Sequence, residues 1–92
     1  FVIGMQKDKD ARAMLKTMIS LASAVIFAKS KNEKAKNPKQ LLVMFNKINK
    51  NKKIQAKVIS NPEKALNYAK KIANKNDLVV VAGSIYLVGE LI

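Results

Sequence analysis

The chain has 92 residues, of which 49% are hydrophobic and 26% are charged, a balance typical of one small globular domain. It contains no cysteine and no histidine, which excludes disulfide scaffolds, Cys- or His-ligated metals, thiol nucleophiles and Ser–His–Asp triads. The net charge is +12, and all but one of the 18 basic residues are lysine. Nucleic-acid readers usually combine arginine with aromatic stacking platforms, so this composition favours a solvated lysine surface.

Short apolar runs alternate with amphipathic segments along the chain, which predicts four strands and four helices. In chain order we expect a strand at 1–3, a helix from Ala11, a strand at 24–28, a helix from Pro38, a strand at 54–60, a helix from Pro62, a strand at 78–82 and a last helix through Leu91. The second and third helices each begin with Asn-Pro, an N-cap followed by proline at the first helical position. Helix starts are therefore the best defined boundaries in this sequence.

The alternation of strands and helices with short connections predicts a Rossmann-like α/β domain, with a mostly parallel sheet and helices on both faces. The run LVVVA at 78–82 is the least polar of the four strands, as is typical of a central strand covered on both faces. Ligands of such sheets bind at the carboxyl ends of the strands. We therefore expect a site among the loops 4–10, 29–37, 60–61 and 83–86.

Three of these loops carry candidate site residues, and each has two interpretations. At Gly83-Ser84, the free amides of a helix start and the serine hydroxyl could bind a carboxylate or a phosphate. Alternatively, Ser84 only caps the helix, and the residue spacing favours neither interpretation. Asp8 and Asp10 suit Mg²⁺ or an amine, although spacing favours helix capping. The lysine run 29–39 either clamps an anion or, as spacing favours, is a solvated loop. The sequence contains neither GxxxxGK[ST] nor GxGxxG, so it shows no nucleotide cradle of its own.

Two motifs resemble a known family. LVVVAGSIYLVGEL resembles the closing segment of folylpolyglutamate synthase and its dihydrofolate synthase relatives, and FVIGMQKDKD is similar to the family's strand and Asp-Lys-Asp motif. Between these motifs, the Asn-Pro helix start and the segment NPEKAL fall where the family places them. The resemblance covers nearly the whole chain.

The resemblance implies that residues 1–92 are a Mur-ligase-type C-terminal domain, truncated at its N-terminal edge. The ATPase domain with its phosphate loop, and an Asp-Gly-Ala-His-Asn segment, are expected upstream of Phe1. The parent would bind ATP and Mg²⁺, phosphorylate a folate or dihydropteroate carboxylate, and join L-glutamate to the acyl phosphate. We expect the isolated fragment to be inactive, with its own ATPase domain as partner and no specific nucleic acid. No targeting or bilayer-length segment is visible in the sequence, so we expect a cytoplasmic protein without a membrane partner.

Site residues follow from the resemblance only where the motifs match. Ser84, Tyr86 and Lys34 are expected to bind the incoming glutamate. The motif Asp8-Lys9-Asp10 is expected to line the interdomain face on the ATP side, and no catalytic or metal-binding residue is assigned. Lys34 stands where the family commonly has arginine, and lysine keeps the charge but not the bidentate fork.

Two other functions remain open. One is the equivalent domain of another Mur-type amide ligase, such as a peptidoglycan precursor enzyme or cyanophycin synthetase. The motif Gly-Ser-Ile-Tyr-Leu-Val-Gly favours a folate ligase over these. The other is a stand-alone basic α/β module that binds nucleic acid, for which the single arginine and few aromatic residues offer little support.

Overall fold

A computed structural model describes residues 1–5, 11–31, 34–49, 54–82, 89 and 91 of the chain. Within these residues the elements are β1 (Val2–Ile3), α1 (Ala11–Ile19), β2 (Ala24–Phe27), α2 (Pro38–Ile48), β3 (Gln55–Val58), α3 (Pro62–Ile72) and β4 (Val81–Ala82). This order confirms the predicted alternation as far as β4. Of the predicted last helix only Gly89 and Leu91 are described, and both are helical.

The four described strands form one parallel sheet in the order β3-β2-β1-β4. Val2 lies opposite Ile26 on one side and Val81 on the other. The predicted parallel α/β architecture is therefore confirmed.

Successive strand residues point to opposite sides of the sheet, so apolar strands leave an apolar surface on both faces. Helices cover both of these faces. Ile3, Val25 and Phe27 pack with buried residues of α1 and α2 on one face. On the opposite face, Val2 and Ile26 pack with residues of α3. The central strands are consequently sealed from solvent, with Val2, Ile3, Val25 and Phe27 all 0% exposed.

The prediction that the LVVVA run is the central strand is wrong. Within the described residues β4 pairs with β1 alone and stands at the end of the strand order. Val81 and Ala82 are only half-buried, and Leu78 is 82% exposed. The reason is topological, because crossovers between parallel strands are almost always right-handed. Helices α1 and α2 lie on one face, so their crossovers add β2 and then β3 on one side of β1. Helix α3 lies on the opposite face, so its crossover leads back past β1 and adds β4 on the other side. Hydropathy reports how apolar a strand is, whereas crossover direction sets its place in the order.

The two Asn-Pro helix starts form as predicted. The Asn37 Oδ1 atom accepts a hydrogen bond from the Lys39 backbone N–H at 2.9 Å, and Asn61 Oδ1 accepts one from the Lys64 N–H at 3.0 Å. At the other end of α2, the buried Asn49 donates from Nδ2 to the Ile54 carbonyl at 3.0 Å. That bond ties the end of α2 to the start of β3. None of the helices in the described part of the chain is both long and apolar enough to cross a bilayer.

The Phe27–Phe45 pair links α2 to the sheet, and its loss should be measurable as a change in the free energy of unfolding. The rings meet edge to face, with centroids 5.7 Å apart and planes at 63°. We expect Phe45→Ala to cost about 3–5 kcal/mol because it leaves a cavity in the core. The milder Phe45→Leu should cost about 0.5–1.5 kcal/mol, the worth of the ring contact. Val43→Ala on the same helix, at a position 56% exposed, should cost less than about 0.5 kcal/mol in the same denaturant titration. Equal costs at positions 43 and 45 would contradict the burial of Phe45.

The cap of α3 provides a second stability test. Asn61→Ala removes the acceptor of the Lys64 N–H and should lower the free energy of unfolding by about 1 kcal/mol. Asn61→Asp retains an acceptor at the positive end of the helix dipole and should restore most of that loss. Asn67→Ala, at an exposed position within α3, is the matched control and should be nearly neutral. Thermal melts by circular dichroism measure all three, and an unchanged Asn61→Ala melt would refute the cap.

Candidate functional site

The order in which strands are added to the sheet reverses between β1 and β4. This reversal locates the candidate site. β2 and β3 follow on one side of β1, whereas β4 lies on the other side, after a crossover on the opposite face. The Val2 N–H donates to the Val80 carbonyl at 2.8 Å and the Gly4 N–H to the Ala82 carbonyl at 3.4 Å. In open α/β sheets a crevice forms at such a switch point, outside the carboxyl ends of the strands.

Backbone hydrogen bonds align the carboxyl ends of all four described strands along one edge. The Ala28 N–H donates to the Ile3 carbonyl at 2.8 Å, and the Lys29 N–H donates to the Ser60 carbonyl at 3.0 Å. Helices α2 and α3 run back from this edge, so their capped N-termini lie along it. The partial positive charge of both helix dipoles is consequently directed to the same edge.

The loop after β2 crosses this edge and reaches β1. The Lys36 N–H donates to the Met5 carbonyl at 2.6 Å. Ser30 and Ala35, at 5% and 4% exposure, anchor the loop in the interior while Lys34 is exposed. Lys34 therefore lies at the carboxyl edge, as a residue that binds an anionic substrate there requires.

The remaining predicted site residues, Ser84, Tyr86, Asp8, Lys9 and Asp10, lie outside the described residues. The structure describes the residues that flank them. Ala82, two residues before Ser84, pairs with Gly4 through the hydrogen bond between neighbouring strands, and Met5 is the last described residue before the Asp-Lys-Asp motif. The segments carrying the two motifs therefore leave the sheet from adjacent strands, one on each side of the switch point.

Sequence reasoning missed the contact between the lysine loop and β1. The run 29–39 has the composition of a solvated loop, and nothing in its polar residues indicates that its backbone bonds to Met5. The only local signal is the pair of small residues Ser30 and Ala35 among lysines, which the structure shows to be buried anchors.

A second concavity lies at the opposite, amino-terminal edge of the sheet. It has a volume of about 580 Å³, and its lining includes Phe1, Leu21, Ile72 and Leu78. The Phe1 backbone nitrogen donates to the Ala24 carbonyl at 2.9 Å. Asp77, which also lines it, accepts from the Asn74 N–H at 2.8 Å within a local turn. The lining thus mixes apolar side chains with amide, hydroxyl and carboxylate groups, and sequence periodicity gave no sign of this cavity.

The described aromatic rings do not form a stacking platform. Phe27 and Phe45 are fully buried, Phe1 is half-buried, and the Lys57 ammonium lies 4.6 Å from the centre of the Tyr68 ring. Single-stranded nucleic acid is usually bound by bases stacking on exposed rings. Among the residues that the structure describes, nothing supports a nucleic-acid interface of that kind.

The described part of the chain also contains no group of three potential metal ligands. Of the six acidic residues only Glu63 and Asp77 are described, and they lie at the start of α3 and at the amino-terminal edge. The described side chains therefore provide no carboxylate cluster of the kind that holds Mg²⁺.

The family model described as dihydrofolate synthetase, C-terminal domain, matches residues 1–92, the full length of the chain. No curated protein and no solved structure gave a significant match. The family match agrees with the parallel sheet flanked by helices and with the motifs at the two ends of the sequence. The chain therefore belongs to the dihydrofolate synthetase C-terminal domain family, within the folylpolyglutamate and dihydrofolate synthase ligases.

Proposed function

We propose that this chain is the C-terminal domain of an ATP-dependent ligase that adds L-glutamate to a folate or dihydropteroate carboxylate. The observation that carries the proposal is the family match over all 92 residues. The geometry supports it, because the two family-like motifs belong to segments that leave adjacent strands at the switch point. Such an edge is where an α/β domain binds its ligands.

In this proposal the chemistry is shared between two domains. As the resemblance to the folate ligases implies, ATP and Mg²⁺ would be bound by an N-terminal ATPase domain, since this sequence contains no phosphate loop. There ATP would phosphorylate the folate or dihydropteroate carboxylate, and the glutamate amine would displace phosphate from the acyl phosphate. The domain described above would close over that site and exclude water from a hydrolysable intermediate.

The roles of this chain's own side chains follow from their chemistry. The Ser84 hydroxyl would donate to a glutamate carboxylate, Tyr86 would support the same pocket, and the Lys34 ammonium would add a positive charge. Lys34 lies at the correct edge for that role and is exposed. The Asp8-Lys9-Asp10 motif follows β1 in the sequence. Its charged side chains would line the face between the two domains, on the side where ATP binds.

Glutamate kinetics of the full-length parent test the role of Ser84. Ser84→Ala removes one hydrogen-bond donor to a charged ligand, so we expect the glutamate KM to rise about ten-fold while the ATP KM changes little. The control is Ser20→Ala, because Ser20 is exposed just after α1 and its hydroxyl donates to the Thr17 carbonyl of that helix. An unchanged glutamate KM in Ser84→Ala would remove this residue from the site.

ADP release tests the proposed division of labour. We expect the full-length parent to release ADP when given ATP, Mg²⁺, L-glutamate and either folate or dihydropteroate. The isolated 92-residue chain should release none, because it lacks a phosphate loop. A UDP-linked muropeptide in place of the folate substrate serves as the control for other Mur-type ligases. Turnover by the pure isolated chain would refute the two-domain mechanism, and turnover with the muropeptide alone would refute the folate substrate.

A further inference from the structure

The loop after β2 is fixed by main-chain bonds at both of its ends. At its start the Lys29 N–H donates to a carbonyl beyond β3 at 3.0 Å, and near its end the Lys36 N–H donates to the Met5 carbonyl at 2.6 Å. Between these bonds the loop buries the small side chains of Ser30 and Ala35. Two bonds and two buried side chains restrict the conformations that the loop can adopt.

The Lys36 N–H continues the hydrogen-bond ladder of β1. The Phe1 and Ile3 carbonyls accept bonds of 2.8 Å from N–H groups in β2 and directly after it. Strand residues alternate in direction, so the next carbonyl on this side of β1 is that of Met5. It accepts from Lys36, and the loop therefore lengthens the pairing of β1 beyond the end of β2.

Met5, the acceptor of this bond, is itself held in place. Its side chain is buried in the cluster beneath α1 and α2. The residue before it, Gly4, is buried as well, and its N–H donates to the Ala82 carbonyl on the side of β4. The dipeptide Gly4-Met5, which we call the β1 exit, therefore bonds to the end of β4 through one residue and to the loop after β2 through the other.

We infer that the Lys36 N–H is a positioning group for ligation, because it holds the loop of Lys34 against the β1 exit, which the Asp8-Lys9-Asp10 motif follows. The inference rests on the proposed function, in which Lys34 binds glutamate and the Asp-Lys-Asp motif lines the ATP side. Lys34 stands two residues before the donor of the bond, and Asp8 stands three residues after the acceptor. Since an extended chain spans about 3.5 Å per residue, the bond limits the distance between these two segments.

The positioning role belongs to the main chain of residue 36, so it predicts a specific kinetic result. Displacement of the loop would move Lys34 away from glutamate, and release of the β1 exit would move the Asp-Lys-Asp motif relative to ATP. Loss of this one bond should therefore weaken the binding of both substrates. The expected effect of Ser84→Ala is different, because it is confined to glutamate.

Two substitutions at position 36 in the full-length parent test the inference. Lys36→Pro removes the N–H, and proline favours an extended residue before it, which suits Ala35 in its isolated β-bridge. Lys36→Ala is the matched variant, because it loses the same charge and keeps the N–H. We expect Lys36→Pro to raise the glutamate KM about ten-fold and to raise the ATP KM as well, and Lys36→Ala to change either value less than about two-fold.

The separation of KM from kcat distinguishes positioning from a general loss of stability. Partial unfolding lowers the concentration of active enzyme and hence the apparent kcat, while the KM of the enzyme that stays folded is unchanged. Unchanged KM values in Lys36→Pro, or equal increases in the proline and alanine variants, would overturn the inference. Absence of ligase activity in the unmodified parent would instead refute the proposed function.

Amide hydrogen exchange of the unmodified 92-residue chain tests the bond without any substitution. We expect the Lys36 N–H to exchange at least about 100-fold more slowly than the same residue in an unstructured peptide, as measured by NMR. This measurement decides the matter even when Lys36→Pro fails to fold. Exchange of the Lys36 N–H at the unstructured rate would overturn the inference.

Discussion

The two residues of β1 are the constraint on which the described structure depends. Val2 and Ile3 pair with β2 on one side and β4 on the other, so removing this strand would divide the sheet. Their side chains also point in opposite directions, Ile3 into the cluster beneath α1 and α2, and Val2 into the cluster beneath α3. A strand of only two residues thus joins both layers of helices and both sides of the switch point, and its complete burial reflects that position.

The sheet separates two kinds of surface at its two edges. The carboxyl edge carries the capped N-termini of α2 and α3, whose dipoles favour anions, and the loop after β2 with its described lysines. The amino-terminal edge carries a cavity with a mixed polar and apolar lining, and the exposed side chains of Leu21 and Leu78. This division follows from parallel strands, because every β-to-α connection lies at one edge and every α-to-β connection at the other. The helix N-termini and the loops that follow the strands therefore share one edge of the sheet.

Local chemistry determined what could be predicted from the sequence. Asn37-Pro38 and Asn61-Pro62 specify helix starts through a side-chain acceptor and a fixed φ, so both caps form where expected. The order of the strands depends on crossover direction, which is not written in any one segment, and the apolar LVVVA run was therefore misplaced at the centre. The bond between Lys36 and Met5 joins residues distant in sequence and uses only backbone atoms, so no residue type signals it. The site's position follows from parallel topology, whereas the identity of its side chains comes from the resemblance to the folate ligases.

The use of backbone atoms in the Lys36–Met5 bond has an evolutionary consequence. A hydrogen bond between a main-chain N–H and a main-chain carbonyl survives any substitution at either position except proline at position 36, which has no N–H to donate. The backbone path of the loop over the carboxyl edge is therefore retained when its exposed side chains are substituted. The condition is that the small buried residues Ser30 and Ala35 still fit the interior. The lysines of this loop can therefore be substituted without changing its backbone course over the edge of the sheet.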